Sequence, residues 1–184
     1  MVDALRIGVL ASHRGSSLQA VLDAVANGQL NASVVAVISN NSKALALQRA
    51  RDSGVSAHHI SSRTHAEEDG AICTALTESG VELVLTLGYM KKLGQLTLET
   101  FRGRILNTHP SLLPNYGGQG MFGEHVHAAV IAAGETHTGA SIHLVEPEYD
   151  TGPVVAQQQV HVEPDDSPAS LAARVLMQEH EMLV

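Results

Sequence analysis

Leu5-Arg6-Ile7-Gly8-Val9-Leu10-Ala11-Ser12-His13-Arg14-Gly15-Ser16-Ser17-Leu18 runs from a continuous apolar stretch through a short Ser/Gly turn into a segment of different period. In that segment Leu18, Val21, Leu22 and Val25 recur at i, i+3, i+4 and i+7, the spacing of one helix face, which stops near Asn27-Gly28. A strand over residues 5–11, a turn over 12–16 and a helix therefore open the chain. The alternation repeats outward from there. A second apolar run, residues 32–39, leads through Asn40-Asn41 to the helix-favouring residues 44–51, and residues 55–60 form a weaker strand. Residues 65–79 have helical character, 81–87 are a Val/Leu strand, 96–101 a short helix and 105–108 a further strand. Continuously apolar runs, rather than alternating ones, are what strands covered on both faces need. The pattern predicts an α/β fold with a doubly wound, mostly parallel, Rossmann-like sheet.

Past His109 the texture changes. Residues 110–124 carry two prolines and four glycines and follow neither a helical nor a strand period, so they read as a long loop, of the kind that is usually functional or disordered. Val126, Ala129, Val130 and Ala133 then mark a helix stopping at Gly134. Residues 138–145 and 154–162 read as two strands around the turn 146–153, close enough in sequence to form an antiparallel addition near the C-terminus. Ser167 and Pro168 suit the N-cap and first position of a final helix. No repeat or linker divides residues 1–184, so a single domain is expected.

Composition narrows the function. With 184 residues, 44% of them hydrophobic and 16% charged, the chain suits a globular domain with a real core. A formal net charge of -8 argues against a surface that binds nucleic acid or anionic lipid, while a locally positive pocket for a small anion stays possible. A lone cysteine, Cys73, forms no internal disulfide and suits a reducing, cytoplasmic setting. No apolar run is long enough for a membrane span, and the N-terminal Met1-Val2-Asp3-Ala4-Leu5-Arg6 lacks the pattern of a targeting segment. Nothing in the sequence indicates the oligomeric state.

Three places could carry chemistry. Gly15, Ser16 and Ser17, with Arg14, stand at a helix N-terminus, where free backbone N–H groups and hydroxyls cradle a phosphate. The alternative there is an ordinary hydroxyl N-cap by Ser16 or Ser17. Asn107 and His109, two apart at the end of a buried strand, point to the same side, and Pro110 ends the ladder. An amide and a protonated imidazole converging at the carboxyl end of an α/β sheet could both donate to an oxygen that turns negative during attack on a carbonyl; satisfied strand-end polar groups are the alternative. Asp150 could hold such an imidazole charged, or could only shape its Asp-Thr-Gly-Pro turn. Eleven histidines raise a metal site, chiefly His125 and His127 with His109, His137 and His143. No His-Glu-x-x-His is present, and His125 and His127 would face different ways on a helix, so no metal is expected. His143, within an apolar strand, reads as a core residue or as support for the site. Met90 could line a flat apolar cofactor site or simply pack in the core.

Together these pieces have a precedent. Asn107-Thr108-His109-Pro110-Ser111-Leu112-Leu113-Pro114, preceded by Gly88-Tyr89-Met90 and followed by Asp150-Thr151-Gly152-Pro153, resembles the folate-dependent formyltransferases. Residues 7–18, Ser39-Asn40-Asn41 and Gln178-Glu179-His180 resemble the branch of that family acting on glycinamide ribonucleotide in purine biosynthesis. The resemblance covers essentially the whole chain. It implies a cytoplasmic enzyme transferring a formyl group from 10-formyltetrahydrofolate, as cosubstrate, to the amine of a phosphorylated ribonucleotide without a metal. It further implies Asn107, His109 and Asp150 as the catalytic set, with Gly15, Ser16, Ser17 and Glu179 on the nucleotide. Arg63, Met90, Lys91, Lys92 and Leu93, with Asn107, are implied on the folate side. His13 and Ser17 stand where the family commonly has glycine and asparagine, Lys91 replaces a frequent arginine, and the family's last helix commonly runs beyond Val184. The single formyltransferase domain is therefore expected to be cut short at that helix or to dispense with its end. Competing readings are a formyltetrahydrofolate hydrolase, expected to carry an extra N-terminal domain, a metal-dependent hydrolase, and a non-catalytic phosphate-binding module.

Overall fold

The computed structural model describes residues 3–184; Met1-Val2, part of the stretch read for a targeting segment, lies outside the described residues. The chain divides into two compact units, one ending at Leu106 and taking in Val184, the other Asn107–Leu183. Among the described residues seven strands form one sheet in the order β3-β2-β1-β4-β5-β6-β7, the mostly parallel α/β arrangement expected.

The first unit alternates β1 (Leu5–Leu10), α1 (Ser16–Ala26), β2 (Ala32–Ser39), α2 (Leu45–Asp52), β3 (Ser56–His59), α3 (Glu68–Glu78), β4 (Leu83–Thr86) and α4 (Gln95–Thr100). β1 pairs in parallel with β2 on one side and β4 on the other, and β2 with β3. The chain thus winds outward through β2 and β3, then returns to the far side of β1. That reversal makes the carboxyl ends of β1 and β4 a topological switch point, where open α/β sheets leave a crevice. Val9, Leu10, Val37 and Ile38 are fully buried, as the continuous apolar runs required. Gly8 explains its own presence in β1: a Cβ there would lie 2.6 Å from Leu76 Cδ2 of α3, so only glycine lets helix and strand approach.

The second unit holds most of β5 (Ile105–His109), then α5 (Glu124–Ala132), β6 (His137–Leu144), β7 (Val154–His161) and α6 (Pro168–Leu183). β6 and β7 pair antiparallel, with His137 opposite His161 at one end and a register shift at Ile142/His143. Val130, Ala140, Val160, Leu171 and Val175 form the core of this unit, with Tyr116, Ile131, Val162 and Met182 packed against it. The expected start of α6 is observed, with reciprocal bonds: Ser170 N–H donates to Ser167 Oγ at 3.1 Å and Ser167 N–H to Ser170 Oγ at 3.0 Å. Among the described residues no helix is long and apolar enough to cross a membrane.

Two local expectations change. The helix anticipated from residue 65 begins at Glu68, because Ser61 N–H donates to Thr64 Oγ1 at 3.0 Å and His65 Nδ1 lies 2.9 Å from the same oxygen. These side-chain bonds hold residues 61–65 in a turn that competes with helix. α1 begins at Ser16 with Gly15 as its N-cap and no side-chain cap bond, so neither Ser16 nor Ser17 caps the helix as a hydroxyl N-cap would.

Candidate active site

β5 sets the chemistry of the second unit by period. Thr108 turns one way and donates from Oγ1 to Glu179 Oε1 of α6 at 3.0 Å, and Glu179 is 8% exposed. Asn107 and His109 turn the other way, toward Asp150 and the buried His143 of β6. The amide nitrogen of Asn107 lies 3.0 Å from His143 Nε2, and that ring nitrogen lies 3.4 Å from Asp150 Oδ1. Because a carbonyl can only accept, the 2.8 Å contact between His143 Nδ1 and Leu144 O places a proton on Nδ1. His143 is thus a buried support that orients both Asn107 and Asp150. His109 has both nitrogens engaged: Nε2 donates to the Tyr116 carbonyl at 2.8 Å, and Nδ1 lies 3.5 Å from Asp150 Oδ2.

Asp150 is held as a carboxylate. Burial pushes its carboxyl pKa up and is the largest single influence, but the His143 ring, the His109 charge and the Gly118 N–H, which donates to Oδ2 at 2.8 Å, together bring it below the ordinary value. Asp150 also has a left-handed backbone, φ 56, as does Tyr116, φ 55. Side chains disfavour that region, and strained residues of this kind cluster at functional sites.

The loop after His109 is ordered by groups that sequence reasoning did not single out. Ser141 Oγ donates to the Ser111 carbonyl at 2.6 Å and accepts from Leu113 N–H at 3.1 Å. Gln157 donates to the Leu113 carbonyl at 2.8 Å. Ser141 and Gln157 lie on facing strands, so β6 and β7 pin the loop that supplies the Tyr116 carbonyl and the Gly118 N–H. The only advance sign of Ser141 was polarity within a strand read as apolar, and Gln157, the first of three consecutive glutamines in its strand, carried none. His127 on α5 is buried, while His125, two residues earlier, is exposed. Burial pushes the His127 pKa down, assisted by the His109 charge and opposed by Glu124, and its Nδ1 has no hydrogen-bond partner. Among the described residues no group of three or more His, Cys, Asp or Glu is placed to hold a metal ion.

In the first unit, Ser12 organises the switch point. Its hydroxyl donates to Asn40 Oδ1 at 2.6 Å and accepts from Met90 N–H at 2.8 Å, while Asn41 Nδ2 donates to its carbonyl at 3.3 Å. The ends of β1, β2 and β4 are thereby tied together, which gives the Ser39-Asn40-Asn41 stretch a physical task. Gly15 adopts φ 68, and a Cβ there would lie 2.8 Å from Ala46 Cβ, so the turn before α1 needs glycine twice over. His13 and Arg14 are exposed beside it. Met90 is 40% exposed, so it is not a core residue, whereas Leu93 is buried. Lys91 Nζ lies 3.0 Å from both carboxylate oxygens of Glu68, and Arg63 sits exposed on the turn after β3.

This combination of an Asn/His strand end, a buried His/Asp pair and a glycine turn at a switch point defines a class. The formyl transferase family matches residues 5–184, and the chain belongs to that family. The phosphoribosylglycinamide formyltransferase of Escherichia coli strain K12 is 37% identical, over 96% of this chain and 82% of its own length. The chloroplastic enzyme of that name from Arabidopsis thaliana is 35% identical over 97% of this chain. Glycinamide ribonucleotide transformylase 1 from Symbiobacterium toebii superposes with a TM-score of 0.92 at 36% identity, over 99% of this chain and 85% of that one. The chain spans 63% of the Arabidopsis protein and 58% of its Vigna unguiculata counterpart.

Proposed function

We propose that the protein transfers the formyl group of 10-formyltetrahydrofolate to the primary amine of glycinamide ribonucleotide, as the names of its relatives suggest, in a cytoplasmic setting and without a metal. The observation that carries the reading is the Asn107, His109, Asp150 and His143 cluster at the end of β5. The amine attacks the formyl carbon, the C–O π pair moves onto oxygen, and the tetrahedral intermediate collapses by expelling the folate nitrogen. The proton lost by the amine is the one the departing nitrogen gains. The Asn107 carboxamide is the direct donor to the developing oxyanion. His109, whose nitrogens already face Tyr116 and Asp150, is held in place beside the Asn107 amide, where an imidazolium would add positive charge near the developing oxyanion.

Gly15, Ser16 and Ser17 are proposed to hold the nucleotide phosphate on the N-terminus of α1, with Glu179 contacting the nucleotide, and Arg63, Met90, Lys91, Lys92 and Leu93 are proposed on the folate side. Mixing the protein with 10-formyltetrahydrofolate and following deformylation with and without glycinamide ribonucleotide tests the reading. Formylated nucleotide should appear only when both are present. Deformylation that ignores the nucleotide would replace the transferase reading with a hydrolase.

A further inference from the structure

We infer that Tyr116 and Glu135 are positioning residues for His109: the Glu135 carboxylate anchors the Tyr116 phenol, and the Tyr116 carbonyl fixes the imidazole through its Nε2–H. Three observations in one unit carry this. Tyr116 donates from its hydroxyl to Glu135 Oε1 at 2.8 Å, just beyond the end of α5. Its ring packs against the cluster of Val130, Ala140, Val160, Leu171 and Val175. Its backbone is left-handed, φ 55, and in that conformation its carbonyl meets His109 Nε2 at 2.8 Å.

A non-glycine residue leaves the left-handed region unless its surroundings hold it there. Here both ends of the side chain are held, the ring by packing and the hydroxyl by Glu135. The carbonyl direction follows from φ and ψ, so the anchor on the surface reaches the buried ring of His109 through one residue. The chemical consequence is a division of labour between the two ring nitrogens. Nε2 stays protonated on an oxygen that can only accept, and any proton that comes and goes does so at Nδ1, which faces Asp150 Oδ2 at 3.5 Å. The catalytic importance of His109 rests on the function proposed above; its anchoring does not.

The experiment uses the full chain labelled with 15N-histidine. Tyr116→Phe removes the hydroxyl but keeps the ring in the core, Glu135→Ala removes the acceptor from an exposed site, and Glu135→Gln keeps an oxygen that can accept the phenol. Exchange of the His109 Hε2 proton with water should be slow in the unaltered protein and in Glu135→Gln. In Tyr116→Phe and Glu135→Ala it should accelerate by about fivefold or more, the factor a hydrogen bond of ordinary net strength is worth. Under the proposed activity, kcat in those two variants should fall by a similar factor of about five with both KM values unchanged, and the double variant should lose no more than either single one. Tyr116→Gly, which adopts φ 55 without strain, should show the same faster exchange, because the anchor is lost even though the strain is relieved. Unchanged exchange in both Tyr116→Phe and Glu135→Ala would overturn the inference. Absence of formyl transfer by the unaltered protein would defeat the functional reading alone, since the exchange measurement needs no substrate.

Discussion

Both units of this chain present polar groups at strand ends, but they build them from different materials. After β1, the turn into α1 uses glycine at φ 68 and offers backbone N–H groups, with the Ser12 hydroxyl tying neighbouring strands together. After β5, the left-handed positions other than glycines are Tyr116 and Asp150, and each delivers a specific oxygen to His109. A glycine turn is built for shape and suits an anion held by many weak donors. Left-handed backbone at a tyrosine and an aspartate costs on the order of 1 kcal/mol each and persists only where packing and hydrogen bonds hold it. The second unit therefore stores its precision in particular residues held in place by their side chains, and single substitutions there should act on rate more than on fold.

The sharpest break of that comparison is at Asn107 and Asp150. Asn107→Ala removes the direct oxyanion donor and should lower kcat by about a hundredfold. Asp150→Asn keeps a residue type that tolerates φ 56 and keeps the shape, yet removes the charge facing His109. It should also cut turnover strongly, at only a modest cost in melting temperature from the lost carboxylate contacts. Steady-state kinetics beside thermal unfolding measures both. If Asp150→Asn melted far earlier with undiminished turnover, Asp150 would be a turn former and the contrast between the units would vanish.

The reciprocal test is Gly15→Ala, where shape should matter more than chemistry. The added Cβ meets Ala46 Cβ at 2.8 Å and Cα at 2.9 Å from a left-handed backbone, so both the turn and its contact with α2 must shift. A stability loss of about 2 kcal/mol is expected, from strain and overpacking together. Denaturant unfolding gives the number, and the KM for nucleotide should rise with it. A fully stable Gly15→Ala protein with unchanged KM would mean that the loop does not hold the phosphate.

The same contrast explains what could be read in advance. β2 lies at the expected residues 32–39, because a continuous apolar run buried on both faces leaves no other solution. Asn107 and His109 were legible from the two-residue strand period and the proline that ends it. His143 was legible as a polar residue in an apolar strand. Tyr116 was not, because its contribution is a carbonyl whose direction depends on φ, inside fifteen residues without a period. Ser141 and Gln157 were hidden for a related reason: their partners are backbone groups of a loop, and sequence spacing carries no record of which carbonyl a strand residue will meet. The start of α3 was missed because hydroxyl-to-backbone bonds around Ser61 and Thr64 compete locally with helix.

Acid should reach the second unit before the first through His127. Burial holds its pKa below the ordinary histidine value, so between that value and its own the unfolded chain binds the proton more readily than the folded one. Stability is then complete above a pH of about 6.5 and declines as the pH falls below it. Asp150 adds a separate loss in more acidic solution, as its depressed carboxyl is protonated. His127→Gln should flatten the first decline and leave the second in place. A stability profile between pH 7 and 5 that is identical in both proteins would remove His127 as the cause.

The smallest expected effect concerns Lys91, where the first unit departs from its backbone-built character. Lys91 is implied on the folate side by resemblance, yet here its ammonium meets both oxygens of Glu68 at 3.0 Å. The lysine side chain is 38% exposed and that of Glu68 21%, so solvent screens the pair and its net worth is about 0.5 kcal/mol. A point charge also lacks the planar fork with which arginine grips a carboxylate, so Lys91 can change partners at low cost. Burial raises the pKa of the Tyr89 phenol nearby, with the negative charges of Glu68 and Asp69 adding to the rise. Any anionic group approaching Lys91 therefore competes with Glu68 in a field that already favours positive charge. Glu68→Gln should leave the melting temperature nearly unchanged and lower the KM for 10-formyltetrahydrofolate by about twofold, the factor that breaking so weak a pair allows. The difference between the two proteins should shrink as salt is raised, because the competition is between exposed charges. A KM for the donor that ignores both Glu68→Gln and Lys91→Ala would show that Lys91 serves only to hold α3, and that donor recognition in this chain lies with other residues.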